Sequence, residues 1–219
     1  MEEGKLSSRG EFDKALAGRA GEFGVALGAE ARARLGDYFE LVAAWNARLH
    51  LVAPCRPAEF AARHVLESLA ALRFMPEGAT ALDVGSGAGL PAVPCLVARA
   101  DLRGVLIEAS QKKAVFLREA LSGLGLSGRA RVAAARFEQM EAPAADCLTC
   151  RAIERFTEIL PALVAWAARV PTLLLFGGEA LGERLAAEGL GAEAFLLPGS
   201  ERRFLFVARR GDAGQNRPR

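Results

Sequence analysis

A short apolar run ends at Asp83-Val84, breaks at once into Gly85-Ser86-Gly87-Ala88-Gly89 and restarts at Leu90-Pro91, within the segment ALDVGSGAGLPAVP at 81–94. An extended run cut off by three alternate glycines has to turn sharply, because glycine takes backbone angles closed to other residues. A proline just past the turn suits the first turn of a helix, where a backbone N–H would have no partner. The segment therefore predicts a strand, a tight turn and a helix. That is the opening unit of an open parallel sheet, with a ligand meeting the main chain at the carboxyl end of the strand.

The rest of the chain repeats this alternation. Strands are expected over 80–84, 104–107, 131–134, 147–150 and 172–176, and helices over 91–99, 112–121, 156–168 and 181–187. Two final strands, 194–197 and 204–208, have no helix between them. The expected fold class is α/β: a Rossmann-like, mostly parallel sheet of about seven strands with an antiparallel C-terminal hairpin. Upstream the period is helical. Leu35, Tyr38, Phe39, Val42, Trp45 and Leu49 recur at spacings of three and four over 30–49, with a weaker helix over 11–27. After Pro54 and Pro57 a third helix is expected over 58–73, burying Phe60, Val65, Leu69 and Leu72. The expected organisation is an N-terminal helical extension over 1–75, a cofactor-binding domain over 76–210 and a disordered polar tail over 211–219.

With 219 residues, 52% of them hydrophobic and 25% charged, the chain can bury a sizeable core. Its net charge of +2 means that any nucleic-acid partner has to be met by a local patch. Cys147 and Cys150 make a single CxxC without a second pair, and His50 and His64 lie far upstream, so no metal site is expected. Those two thiols are expected on opposite faces of one strand, both buried. The first residues are polar and no uncharged apolar run reaches the roughly 18 residues of a membrane span, so a cytoplasmic protein is expected.

The glycine turn excludes some ligands. A dinucleotide fingerprint needs Gly or Ala where Leu90 stands, and a phosphate loop needs a Gly-Lys-Ser/Thr that does not follow. Asp83, two residues before Gly85, would repel a pyrophosphate but suits a ligand carrying an ammonium and a sulfonium, as S-adenosylmethionine (SAM) does. Glu108 closes the second strand, where an acid can accept both ribose hydroxyl protons. After the third strand, Phe137 and Glu138 are placed to sandwich an adenine and bond its amino group. Gly85, Gly87 and Gly89 would let the ligand approach the backbone. Singly, Asp83 and Glu108 also read as a structural acid near a turn and a surface acid; together around three glycines they point to SAM.

Five segments in order carry a family resemblance over about residues 37–210: WNARLHL, ARHVLESL, DVGSGAGLP, EASQKKAVFL and CRAIERF. DVGSGAGLP resembles the D-x-G-S/T-G-x-G-F/L-P loop of the glucose-inhibited division protein B family (GidB or RsmG), the 16S rRNA guanine-N7 methyltransferases. The resemblance implies SAM as methyl donor and a guanine of 16S rRNA or the small ribosomal subunit as acceptor. It also implies cofactor contacts at Gly85, Leu90, Phe137, Glu138 and Arg151, with Asp83 and Glu108 beside them, and puts Arg63 and His64 near the target. A monomer acting on neither DNA nor membranes is expected. This chain departs from the family pattern at His50 (Asn), Val52 (Thr or Ser), Glu67 (Asp) and Ala92 (Gly), and Phe176-Gly177-Gly178 lacks the lysine usual after strand five.

Guanine N7 exposes a lone pair and carries no proton, so methylating it requires positioning and exclusion of water rather than a general base. The candidate catalytic residues are Arg151, His64 and Arg63. Arg151 can orient cofactor or base, or it can be tied to Glu154 or Glu158 on the following helix; His64 can contact RNA or be a structural residue of its helix. The basic groups Lys112-Lys113-Arg118, Arg129-Arg131-Arg136, Arg202-Arg203 and Arg209-Arg210 can rim a cleft or simply solvate surfaces. Two rival readings are a methyltransferase with another acceptor and a non-catalytic SAM- or RNA-binding protein.

Overall fold

The computed structural model describes residues 7–151 and 156–210. The expected tail at 211–219 lies outside these residues, as does Glu154. Helix α1 (Ser8–Arg19) is capped by Ser7, whose hydroxyl oxygen accepts from the Gly10 N–H at 3.1 Å. It tightens into a 3₁₀ turn, Ala20–Phe23, and stops at Gly24, so the helix expected over 11–27 begins and ends earlier. Helix α2 (Ala29–Leu49) buries Leu35, Tyr38 and Val42, with Phe39, Trp45 and Leu49 partly buried beside them.

The third helix corrects the expectation of a regular stretch over 58–73. Helix α3 (Pro57–Glu59), a π-helical segment Phe60–Leu66 and helix α4 (Glu67–Leu69) run on without a break. A π turn takes more residues than an α turn and advances the phase of the buried face. Phe60, Val65 and Leu69 are buried as expected, but the helix ends before Leu72, which is only half-buried in a separate 3₁₀ turn, Leu72–Phe74.

The sheet comprises β1 (Thr80–Val84), β2 (Arg103–Ile107), β3 (Ala130–Ala133), β4 (Cys147–Arg151), β5 (Thr172–Gly177), β6 (Ala192–Leu196) and β7 (Phe204–Arg209). Their order is β3-β2-β1-β4-β5-β7-β6, with the first five parallel and β7 antiparallel to both neighbours. Helices α5 (Ala92–Ala98), α6 (Gln111–Gly123), α7 (Phe156–Trp166) and α8 (Glu179–Ala187) supply the connections. The last hairpin is shifted slightly from its expected start: β6 begins at Ala192, and as the outer strand it is largely exposed.

Side chains alternate across the sheet with the period of two that strand geometry requires. Leu106, Cys147, Leu174, Phe176, Leu205 and Val207 join one apolar cluster with α5, α6 and the N-terminal helices. Leu82, Val84, Leu148, Cys150, Leu173, Leu175 and Phe206 join the other, under α7 and α8. Cys147 and Cys150 therefore do lie on opposite faces, both fully buried. The N-terminal helices pack through an aromatic group in which Phe12 stacks on Phe39 at 4.8 Å and Phe60 sits 5.3 Å from Phe39. Tyr38, fully buried, donates its hydroxyl hydrogen to the Ala88 carbonyl at 2.7 Å, which fastens α2 to the glycine turn. Among the described residues, no helix is long and apolar enough to cross a membrane.

Candidate cofactor and acceptor site

Strand order reverses between β1 and β4, and a ligand crevice forms at the carboxyl ends of strands where that happens. A cavity of about 980 Å³ opens there. Gly85, Gly87, Leu90, Glu108, Phe137, Glu138, Arg151, Arg63 and His64 all line it; Asp83 and Gly89 do not.

The glycine turn divides its labour. Gly87 has φ +55°, and a Cβ built on it would meet nothing nearer than the Gly85 carbonyl oxygen at 3.7 Å, so its open side belongs to the cavity. Gly89 has φ +87°, and a Cβ there would lie 2.6 Å from Val93 Cγ2 and 3.2 Å from Leu117 Cδ2. That third glycine lets the turn pack against α5 and α6. Pro91 follows as the N-cap of α5, one residue before the helix expected to begin with it.

Glu108, 8% exposed, clasps the turn from β2. Its Oε2 accepts from the Gly87 N–H at 2.8 Å and its Oε1 from the Ser110 N–H at 2.7 Å. Each oxygen keeps a second lone pair. Phe137 stands edge-on to Trp166 at 5.5 Å, and Trp166 is fixed by donating to the Met140 carbonyl at 2.7 Å. Glu138 follows Phe137 in the 3₁₀ turn Phe137–Gln139.

Asp83 lies behind this wall. Register pairs it with Thr149 of β4, whose hydroxyl donates to Asp83 Oδ1 at 2.7 Å, while Oδ2 is buried without a partner. Burial pushes its pKa up to about 6, against the pull of hydrogen bonds from Thr149 and Ser86. Nothing in the sequence marks Thr149 or Ser86; both follow only from strand pairing and the course of the turn.

The opposite half of the cavity is cationic. Register places Arg151 beside Phe176 of β5, its guanidinium carbon 5.4 Å from the ring centroid. Arg151 Nη2 donates to Glu67 Oε2 at 2.8 Å and to the Arg63 carbonyl at 2.6 Å. Its partner is thus Glu67 of α4, a connection across 84 residues that local sequence does not signal. Arg203 holds the other oxygen, with Nε and Nη2 each 2.8 Å from Glu67 Oε1. His64, projecting from the π-helical segment, packs on Phe60 at 5.1 Å. Burial first, then Arg151 and Arg63, push its pKa down to about 4, so it is neutral near pH 7. Arg63 pairs with Glu59 one turn away.

Of the basic pairs, Lys113, Arg136 and Arg203 reach the cavity. Arg129 and Arg210 instead donate to backbone carbonyls, Leu102 at 2.9 Å and Ala168 at 3.2 Å among them. Arg209 pairs with Glu193 at 2.8 Å.

One departure from the family pattern acquires a local explanation. His50 is the C-cap of α2 with φ +47° and does not line the cavity. Asparagine is favoured in that conformation, so the family's Asn suits a backbone requirement here. Val52 does line the cavity and is held by Asn46, which donates to the Val52 carbonyl and accepts its N–H, both at 3.0 Å.

Comparison with known proteins identifies the fold and the family. A methyltransferase described as the SAM-dependent SibL shares the fold with a TM-score of 0.57 over 91% of this chain and 74% of its own, at 16% identity. Ribosomal RNA small subunit methyltransferase G of Sorangium cellulosum is 39% identical over 178 residues, 78% of this chain and 74% of that protein. The Anaeromyxobacter dehalogenans protein of the same name is 35% identical over 85% of this chain and 92% of its own. Residues 31–187, from α2 through the cavity-bearing strands to α8, match the family described as rRNA small subunit methyltransferase G, and the chain belongs to that family, GidB.

Proposed function

We propose that this chain is a SAM-dependent methyltransferase acting on guanine N7 of small-subunit (16S) rRNA. The observation that carries the reading is one cavity with two unlike ends. Glu108, Glu138 and Phe137 line it at the ends of β1 to β3, together with Lys113 and Arg136, and Arg151 and Arg203 line it toward β4 to β7. The first end fits SAM: an open backbone at Gly87, spare lone pairs on Glu108, an apolar face at Phe137 and an unpartnered carboxylate oxygen on Asp83 behind the turn. When bound there, SAM supplies an electrophilic methyl group.

The chain's own residues position and shield. Gly85 and Gly87 allow close approach, Glu108 accepts hydrogen bonds from vicinal hydroxyls, and Glu138 accepts from an exocyclic amine beside Phe137. Arg151, fixed by Glu67 and lying near Phe176, orients the acceptor base. With its pKa pushed down to about 4, His64 is a weak base, which suits an acceptor atom that bears no proton.

The extension over 1–75 as a cap on a cofactor unit over 76–210, a monomeric state and a cytoplasmic location belong to the same reading. The altered residue at His50 gives no support to a different acceptor, since the backbone there accounts for it. The test is transfer of tritiated methyl from SAM to unmethylated small subunits and to their free rRNA. The product is then mapped by borohydride and aniline scission, which cuts at N7-methylguanine. Label in rRNA with a single scission site supports the reading; label only in a small molecule, or SAM binding without transfer, overturns it.

A further inference from the structure

Glu67 is 1% exposed and is shared by two guanidinium groups, Arg151 at 13% and Arg203 at 35% side-chain exposure. Among the described residues one carboxylate serves two arginines, so this group carries an excess positive charge toward the cavity. Arg63, whose own charge is met by Glu59, stands in the same wall. An uncompensated charge in a partly buried site is unfavourable unless something completes it. The neutral state of His64 is a second sign of that field, since Arg151, Arg63 and Arg203 all disfavour its protonation after burial has done so. Arg203 is the more open of the two arginines on Glu67, and Glu67 is the only acceptor for its side chain among the described residues.

Its place in the fold matters as much as its charge. Arg203 precedes β7, and the backbone there runs against the end of β5: a Cβ on Gly178 would meet the Arg202 carbonyl at 3.5 Å. Gly177 cannot carry a side chain without displacing Leu181, whose Cδ2 would lie 2.6 Å from its Cβ. The β5 end that lacks the family's lysine is thus adjoined by a cation arriving from another strand.

We propose that Arg203 is a specificity-determining residue that receives a phosphate of the acceptor RNA beside the target base, with Glu67 holding its fork in place. This rests on the functional reading above. A guanidinium that donates its Nε hydrogen to Glu67 still offers Nη hydrogens to phosphate oxygens. The same anion chemistry could come from the carboxylate of the cofactor, and the measurements separate the two sources.

The full-length protein and its Arg203→Gln and Arg203→Lys variants are compared in three measurements: SAM affinity by calorimetry, methyl transfer, and filter binding of an in vitro small-subunit rRNA transcript between about 50 and 200 mM salt. In Arg203→Gln, SAM affinity should stay within twofold while rRNA affinity falls about tenfold at low salt. The slope of log affinity against log salt should lose about 0.7 to 0.9, the share of one phosphate. Arg203→Lys, which keeps the charge, should restore the slope. A loss of SAM affinity at an unchanged slope would assign the anion to the cofactor and overturn the proposal. An unchanged slope at unchanged SAM affinity would make the Glu67–Arg203 pair purely structural. If the unmodified protein transfers no methyl to rRNA, the functional reading itself falls, and the role of Arg203 with it.

Discussion

Replacing Gly87 and Gly89 separately by alanine should give opposite phenotypes from two residues of one turn. At Gly89 the backbone lies at φ +87°, beyond the small left-handed region open to side chains. The added methyl would also sit 2.6 Å from Val93 Cγ2 in a fully buried position. Backbone strain of about 1–2 kcal/mol and overpacking of about 1–3 kcal/mol combine to about 3 kcal/mol. In a chain of this size that lowers Tm by about 6–12 °C. At Gly87, φ +55° is tolerated and no atom crowds the methyl, so the cost is about 1 kcal/mol and Tm falls by about 2–4 °C. The methyl instead occupies the wall where a ligand would meet the backbone. Scanning calorimetry and SAM titration of both variants give the comparison. Gly89→Ala should melt far lower yet bind SAM nearly normally when folded, whereas Gly87→Ala should stay folded and lose at least tenfold in affinity. A Gly89→Ala variant melting within 2 °C of the parent, about the effect of less than 1 kcal/mol, or a Gly87→Ala variant with normal affinity, would refute the assignment.

Three further outcomes are expected. Arg151→Ala should cut the rate per folded molecule by well over tenfold, and destabilise by about 2–3 kcal/mol because Glu67 keeps Arg203 but loses its more buried partner; a stability loss with an unchanged rate would make Arg151 structural only. His50→Gly should raise stability by about 0.5–1 kcal/mol by relieving the left-handed C-cap of α2, seen as a higher urea midpoint, and a lower midpoint would mean that the imidazole contributes contacts. Asp83 and His64 should oppose each other in acid. Burial raises the Asp83 pKa to about 6, so its contribution is full below the unfolded value of 3.8 and is lost as pH rises through 6. The His64 pKa is pushed down to about 4, so its contribution is present above the unfolded value of 6.5 and is lost as pH falls through 4. Asp83→Asn should therefore turn a nearly flat stability profile over this range into one that falls toward acid. A profile unchanged by the substitution would mean that Asp83 folds ionised.

The sheet and the gathering of Gly87, Glu108, Phe137 and Glu138 at one cavity were legible because both are written locally. Alternation of short apolar runs with helical stretches specifies parallel strands, and the residues that close successive strands, Glu108 and Phe137-Glu138, necessarily arrive at one edge. The π-helical segment was not legible, since the apolar spacing of its helix still reads as regular; Leu72 was misplaced because the helix ends at Leu69 and a separate 3₁₀ turn follows. The arginine half was opaque for a different reason. Glu67 meets Arg151 across 84 residues and Arg203 across 136, and an acid with a basic residue on an adjacent helix looks the same in sequence whether or not the two ever meet. Arg151 meets Glu67 on α4, while Glu154 lies outside the described residues. At His50 the departure from the family looked chemical, but the position asks only for a left-handed backbone.

The most direct measurement is calorimetric titration of the full-length protein with SAM and, separately, with a nicotinamide dinucleotide, repeated for Glu108→Ala. SAM should bind one to one, the dinucleotide should give no heat, and Glu108→Ala should weaken SAM by at least tenfold, because the clasp on the Gly87 N–H and the hydroxyl acceptor are lost together. Tight dinucleotide binding, or SAM binding indifferent to Glu108, would contradict the account.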